Sequence, residues 1–349
     1  MVLLGSIVAA SAASQQTPAQ LAPFHMGRIA LPQADGGSTT LFFPTRDDEA
    51  PVRRGPFELS WAQGAAPARG NGRLLVISHG SGGSPWVHAD LARVLVQRGF
   101  VVAIPQHHGD NHMDPSDPGP VSWVKRPGEV GRAIDAVAGH APLAGLLSFE
   151  AVGVFGGSAG GHTALTLAGG EWSFRRFLKH CEQRIEQDFS SCVGMVTRLR
   201  GNWLDGPKLW LARRVIAWRF DDETPRRHVD SRVKAVVAMV PFAADFDPVS
   251  LARPAAALGL VIADQDVNQV PLYHVEAILR ACEPHCEVIM RLPEAGHGAM
   301  LSPMPPLEPG SVGHHLLSDP EGFDRAAALP LLHERIAEFF IRKLAAGAP

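Results

Sequence analysis

Residues Ala151-Val152-Gly153-Val154-Phe155-Gly156-Gly157-Ser158-Ala159-Gly160-Gly161-His162 decide the reading of this chain. A β-type apolar run stops at a glycine-rich turn and resumes at once as small, helix-compatible residues. The turn carries the pattern Gly-x-Ser-x-Gly. Such a strand–turn–helix places its central residue on a tight, strained backbone and exposes that side chain. Glycines are needed on either side because a Cβ there would strike the neighbouring backbone. The helix beginning after Ser158 points free N–H groups at any developing negative charge. Ser158 is therefore a candidate nucleophile. The competing reading is a phosphate-binding turn, but that would want a lysine near the helix start, where His162 stands.

The same alternation extends in both directions. Leu74–Ser78, Phe100–Ile104, Val233–Val240, Leu258–Ile262 and Glu287–Leu292 are continuous apolar runs, as expected of strands buried on both faces of a parallel sheet. Helical spacing separates them: Trp86–Arg98 ending at Gly99, Glu129–Val137 with Pro127 near its start, and Leu272–Ala281. A long amphipathic helix, about Phe323 to Leu344 with Pro330 inside it, closes the chain. Three short β-like runs, Arg28–Leu31, Thr39–Phe43 and Phe57–Trp61, precede the alternation, the first two separated by Gln33-Ala34-Asp35-Gly36-Gly37, and the first two or all three are expected to form an antiparallel edge. The whole predicts an α/β fold with a doubly wound, mostly parallel sheet. Glu171–Arg232 breaks the pattern. It mixes Trp172, Phe174, Phe177, Trp203, Trp210, Trp218 and Phe220 with many arginines, and reads as a helical insertion over the end of the sheet. That divides the chain into a core, 26–170 and 233–349, and a cap, 171–232.

A serine nucleophile needs a base and donors for an oxyanion. His79-Gly80-Ser81-Gly82-Gly83 follows the first buried strand, so the N–H groups of Ser81 and Ala159 are the candidate donors. The acid and the histidine should come from loops after later strands, acid first. Asp264 and Asp266 follow Leu258–Ile262, and His297, between Gly296 and Gly298, follows Glu287–Leu292. Asp266 is preferred because it lies further past the strand end. Asp264 is the alternative acid, with capping of the turn as its own expected role. His107, His108 and His112 read as surface or substrate-contact residues.

These residues, in this order, resemble the α/β-hydrolase superfamily over about Leu74 to Leu344. The runs LLVISHGSGG, RPGEVGRAIDAV and AGH look more narrowly like the bacterial "predicted dienelactone hydrolase" group, related to platelet-activating-factor acetylhydrolase. The resemblance implies an eight-stranded, mostly parallel sheet with helices on both faces. It also implies hydrolysis of small carboxylic esters through an acyl-enzyme, with no cofactor and no metal. It supports Asp266, because Ala263-x-x-Asp266 matches the usual Gly-x-x-Asp, with alanine as a departure. True dienelactone hydrolases use cysteine where this chain has Ser158. A non-hydrolytic relative (acyltransferase or lyase) and an inactive binding protein are the alternatives. Transfer to an added alcohol would mark the first, and an unreactive Ser158 the second.

Composition bounds the rest. The 349 residues carry 32 Lys and Arg against 35 Asp and Glu, a net charge of -3, so the overall balance favours neither nucleic acid nor an anionic membrane. Met1–Ala13 is apolar, too short to span a bilayer, and ends in a small-x-small site at Ala10-Ser11-Ala12, although no Lys or Arg precedes Arg28. Residues 1–20 read as a signal peptide or a disordered tail. The four cysteines fall into local pairs, Cys181 with Cys192 and Cys282 with Cys286, which suits two short disulfides in the periplasm or outside the cell. A cytoplasmic protein with four thiols is the alternative. His180 and His285 neighbour these cysteines, but no CxxC spacing supports zinc.

Overall fold

The computed structural model describes residues 23–33 and 36–345. Residues 1–20 and the Ala34-Asp35 turn lie outside the described residues. The strands are β1 (His25–Pro32), β2 (Ser38–Thr45), β3 (Ala50–Arg54), β4 (Phe57–Trp61), β5 (Arg73–Ser78), β6 (Val101–Pro105), β7 (Ser148–Gly157), β8 (Glu171–Trp172), β9 (Val233–Met239), β10 (Phe246–Asp247), β11 (Ala257–Ala263) and β12 (Cys286–Leu292). The helices are α1 (Ala89–Gln97), α2 (Pro120–Ala138), α3 (Ala141–Ala144), α4 (Ala159–Leu167), α5 (Phe174–Arg184), α6 (Phe189–Val193), α7 (Asp205–Arg219), α8 (Val275–Cys282), α9 (Val312–Leu317) and α10 (Arg325–Lys343).

Eight strands form one sheet in the order β1-β2-β6-β5-β7-β9-β11-β12. The pairings from β6 through β12 are parallel, and β1 and β2 add an antiparallel edge. Side chains alternate between two cores. Leu74 and Val76 of β5 face α2, α4 and α8, whereas Leu75 and Ile77 face α1 and α10. Each buried aliphatic side chain contributes about 1.5–3 kcal/mol, which explains the unbroken apolar runs. The chain leaves β5 for β6 on one side and returns to β7 on the other. The carboxyl ends of β5 and β7 therefore flank a switch point, where an open sheet leaves a crevice.

Three expectations are sharpened or corrected. Of the early runs only the first two form the sheet edge; Phe57–Trp61 is β4, which pairs with β3 in a separate ribbon. The second helix starts at Pro120, well before Glu129, and encloses Pro127. Proline suits the first turn of a helix, and the buried Trp123 and Arg126 hold the early turns against the interior, offsetting the bond lost at Pro127. The third correction concerns the insertion. It is helical through α5, α6, a 3-10 turn at Gly194–Val196 and α7, while its ends are extended: Trp172 pairs with Phe246 on one side and bridges Arg226 on the other. Disulfides join Cys181 to Cys192, across α5 and α6, and Cys282 to Cys286, across α8 and β12. No helix among the described residues is long and apolar enough to cross a membrane.

Candidate active site

Ser158 sits between β7 and α4 with φ +56°, in the left-handed region that non-glycine residues rarely occupy. Sequence and packing leave no gentler turn. A Cβ on Gly156 would overlap the Gly160 carbonyl, and one on Gly160 would overlap the Ser78 carbonyl, so strand, turn and helix pack backbone to backbone. The Ser158 N–H donates to the Met239 carbonyl (3.1 Å), which ties the turn to β9. Ala159 is the first residue of α4, so the helix ladder does not use its N–H.

The loop after β5 lies against this turn: a Cβ on Gly80 would sit 3.5 Å from Ser158 Cβ. Buried charges behind the loop fix its path. Asp110 accepts from Ser81 Oγ (2.5 Å), the Gly82 N–H (3.0 Å), Ser122 Oγ (2.7 Å) and Arg126 (2.7 Å). Arg126 also donates to the His79 carbonyl (2.5 Å). Burial pushes the Asp110 carboxyl up, but the Arg126 charge and the donated bonds outweigh it and hold the group below its ordinary value. His107 is not a surface residue. It is fully buried, with Nδ1 on Glu129 (2.6 Å) and Nε2 on Ser78 Oγ (2.8 Å). Burial, and then the Arg126 charge, push its pKa well below the usual value, so it stays neutral. His79 is likewise neutral, pushed down by burial first and His107 second.

Asp266 and His297 meet at the ends of β11 and β12. Both are buried, and His297 Nδ1 lies 2.6 Å from Asp266 Oδ2. The other carboxylate oxygen of Asp266 accepts the N–H groups of Asn268 and Gln269, each at 2.8 Å. With one oxygen taken by two backbone N–H groups, the other is the acceptor for the ring's Nδ1–H. His297 Nε2 is buried without a hydrogen-bond partner. Ser158 Oγ instead accepts from Gln269 Nε2 (3.2 Å). The structure thus joins Asp266 to His297 but does not join His297 to Ser158. Asp264 goes elsewhere. Rather than capping the turn, its carboxylate pairs with Arg291 (2.7 Å) on the surface.

Against known proteins, no family model matches the chain, and no curated protein sequence matches it significantly. Among solved structures, a ferulic acid esterase from Streptomyces cinnamoneus aligns with a TM-score of 0.57. The alignment covers 95% of this chain and 93% of that one at 17% identity, which speaks for the fold. The chain has the α/β-hydrolase fold.

Within that α/β-hydrolase fold, the insertion is wired to the acid loop. Asp188, before α6, receives His180 Nε2 (2.7 Å) and His274 Nε2 (2.9 Å) on one oxygen, and Ser191 Oγ (2.8 Å) on the other. Ser191 Oγ also lies 2.8 Å from the carbonyl of Asn268, two residues past Asp266. Burial would raise the Asp188 carboxyl; His274 and the donated bonds reverse this and hold it well below its ordinary value. His180, Asp188 and His274 present ligand atoms within 4.8 Å of one another. They fit a metal poorly. His274 Nδ1 accepts the Ala243 N–H (2.9 Å), so its proton is on Nε2, the atom aimed at Asp188. Sequence reasoning missed Gln269 and Asp188. Gln269 follows Asp266 by one helical turn's spacing but carries no motif, and Asp188 is one carboxylate among many in the insertion.

Proposed function

We propose that this protein hydrolyses carboxylic esters through an acyl-enzyme on Ser158. The observation that carries the reading is the strained Ser158 turn together with, at the same end of the sheet, a buried histidine whose Nδ1 is held by Asp266 and whose Nε2 is unpartnered. Ser158 Oγ leaves Gln269, a rotation about χ1, and passes its proton to His297 Nε2 as it attacks the ester carbonyl. The N–H groups of Ser81 and Ala159 take the oxyanion. His297 returns the proton to the departing alcohol. Water then attacks the acyl-serine, again through His297, releasing the acid and restoring Ser158. Asp266 fixes the tautomer and stabilises the imidazolium. Ester chemistry agrees with the esterase among the similar structures, and the motifs resemble those of the dienelactone hydrolase-like and acetylhydrolase-like groups. The two disulfides favour work in an oxidising compartment, the periplasm or outside the cell.

A fluorophosphonate probe with peptide mapping tests this. Ser158 is expected to take the label, and Ser158→Ala to lower turnover of a p-nitrophenyl ester by about 10³-fold or more. Native-like turnover in that variant would overturn the proposal. Asp266→Asn is expected to cost about 10³–10⁴-fold, and Asp264→Asn less than about twofold, since Asp264 belongs to a surface ion pair. The reverse order would move the acid role to Asp264.

A further inference from the structure

Three tryptophans of the insertion point away from the protein. Trp203 is 82% exposed, Trp210 63% and Trp218 82%. Leu204, Leu211, Val215, Met195 and Val196 are exposed beside them. The cause lies in the pattern of α7. Ile216 is buried, and Leu209 and Ala212 pack partly against the interior. Trp210, Arg214 and Trp218 follow one another at helical i, i+4, i+8 spacing and form the opposite stripe. Trp203 and Leu204 extend it before the first turn. The helix is therefore apolar on both faces, and only one is covered by the protein. Fifteen residues make α7 about 22 Å long.

Charge identifies what would cover the other face. Between residues 194 and 220 stand Arg198, Arg200, Lys208, Arg213, Arg214 and Arg219, with Asp205 as the sole carboxylate. Asp205 pairs with Lys208, and Glu186, just after α5, reaches Arg213. Arg214 stacks over Trp210 at 5.7 Å. The acidic run Asp221-Asp222-Glu223 comes after the helix end, and two of its carboxylates are held by Arg226 and Arg175. The net charge of -3 thus conceals a local cationic, tryptophan-rich face.

We propose that this face docks on an anionic lipid bilayer. Interfacial helices combine these parts: bulky aromatic and aliphatic side chains enter the headgroup boundary, indole N–H groups stay at its polar level, and Arg and Lys meet lipid phosphates. A second copy of the chain suits the face less well, because a two-fold contact would set Arg213 and Arg214 against their own kind. The site lies close by. A Cβ on Gly313 of α9 would sit 3.2 Å from Met195 Cε, and one on Gly298, beside His297, would overlap the Leu317 carbonyl of α9. Docking would bring the lipid phase toward the candidate active site. The proposal does not depend on the ester reading.

Co-sedimentation of the full chain with vesicles tests it, comparing phosphatidylglycerol mixed into phosphatidylcholine with phosphatidylcholine alone. Binding to the anionic vesicles, a blue shift of tryptophan emission and weakening in high salt are expected. The variant W203A/W210A/W218A should lose about tenfold or more in affinity. R213E/R214E should lose the preference for anionic lipid. Both should keep the native unfolding temperature. Protein that stays in the supernatant with every vesicle, or a triple variant that binds as well as the native chain, would overturn the proposal. So would a dimer in lipid-free sedimentation velocity that the triple variant converts to monomer, because the face would then belong to a second copy.

Discussion

The inner and outer halves of the insertion are built from the same residue types and treat them in opposite ways. In the inner half, Trp172 and Phe177 lie in one aromatic cluster with Trp123 and Phe242. Cys181 is tied to Cys192, and Asp188 is tied through Ser191 to the loop of Asp266. In the outer half, α7 buries little beyond Ile216 and turns its tryptophans outward. Aromatic content alone therefore does not distinguish a packed element from a presented one. The difference lies in whether a complementary surface of the same chain exists. The inner half has the sheet's helical layer beneath it, and the outer stripe has nothing of the described residues above it.

Mutations should separate the two halves in order of size. Asp188→Ala should cost about 3–5 kcal/mol, because it leaves buried donors of His180, His274 and Ser191 without their shared acceptor. It should also lower ester turnover by about tenfold or more, as the Asp266–Gln269 loop loses its anchor. Denaturant unfolding and turnover assays measure both, and a loss confined to stability would detach the insertion from the site. Removing the Cys181–Cys192 disulfide should cost about 2–3 kcal/mol for its short loop, seen as a lower unfolding midpoint. An unchanged midpoint would mean the aromatic cluster alone holds α5 to α6. Trp210→Ala should stay within about 0.5 kcal/mol of native stability, as for exposed sites generally. A drop of several kcal/mol would show that α7 packs inward after all.

Much of the site is legible in the sequence. Ser158, Asp266 and His297 stand where strand ends meet loops, and strand ends are marked by apolar runs stopping at glycine or aspartate. Asp266 and His297 do meet, and Asp264 does not join them. Other parts leave no such mark. Gln269 reaches Ser158 only because the loop after β11 curls back over β7, and hydrogen bonds across 111 residues leave no local trace. His107 reads as a loop residue because burial depends on what lies above the loop, here α2 with Glu129 and Arg126. Pro127 hides the early start of α2, since proline argues against a helix locally while Trp123 and Arg126 argue for one only through contacts.

By itself, the sequence determined the alternation of strand and helix, the tight turn at Ser158, the order of acid and histidine, and the presence of an insertion. Those features rest on period, turn chemistry and local sterics, which act over a few residues. Only the tertiary structure decided which aspartate meets His297, which hydroxyl and amide contacts Ser158 makes, and which of the insertion's tryptophans are covered. Those outcomes depend on surfaces brought together from distant parts of the chain, and a near-neutral total charge carries no record of where its positive residues gather.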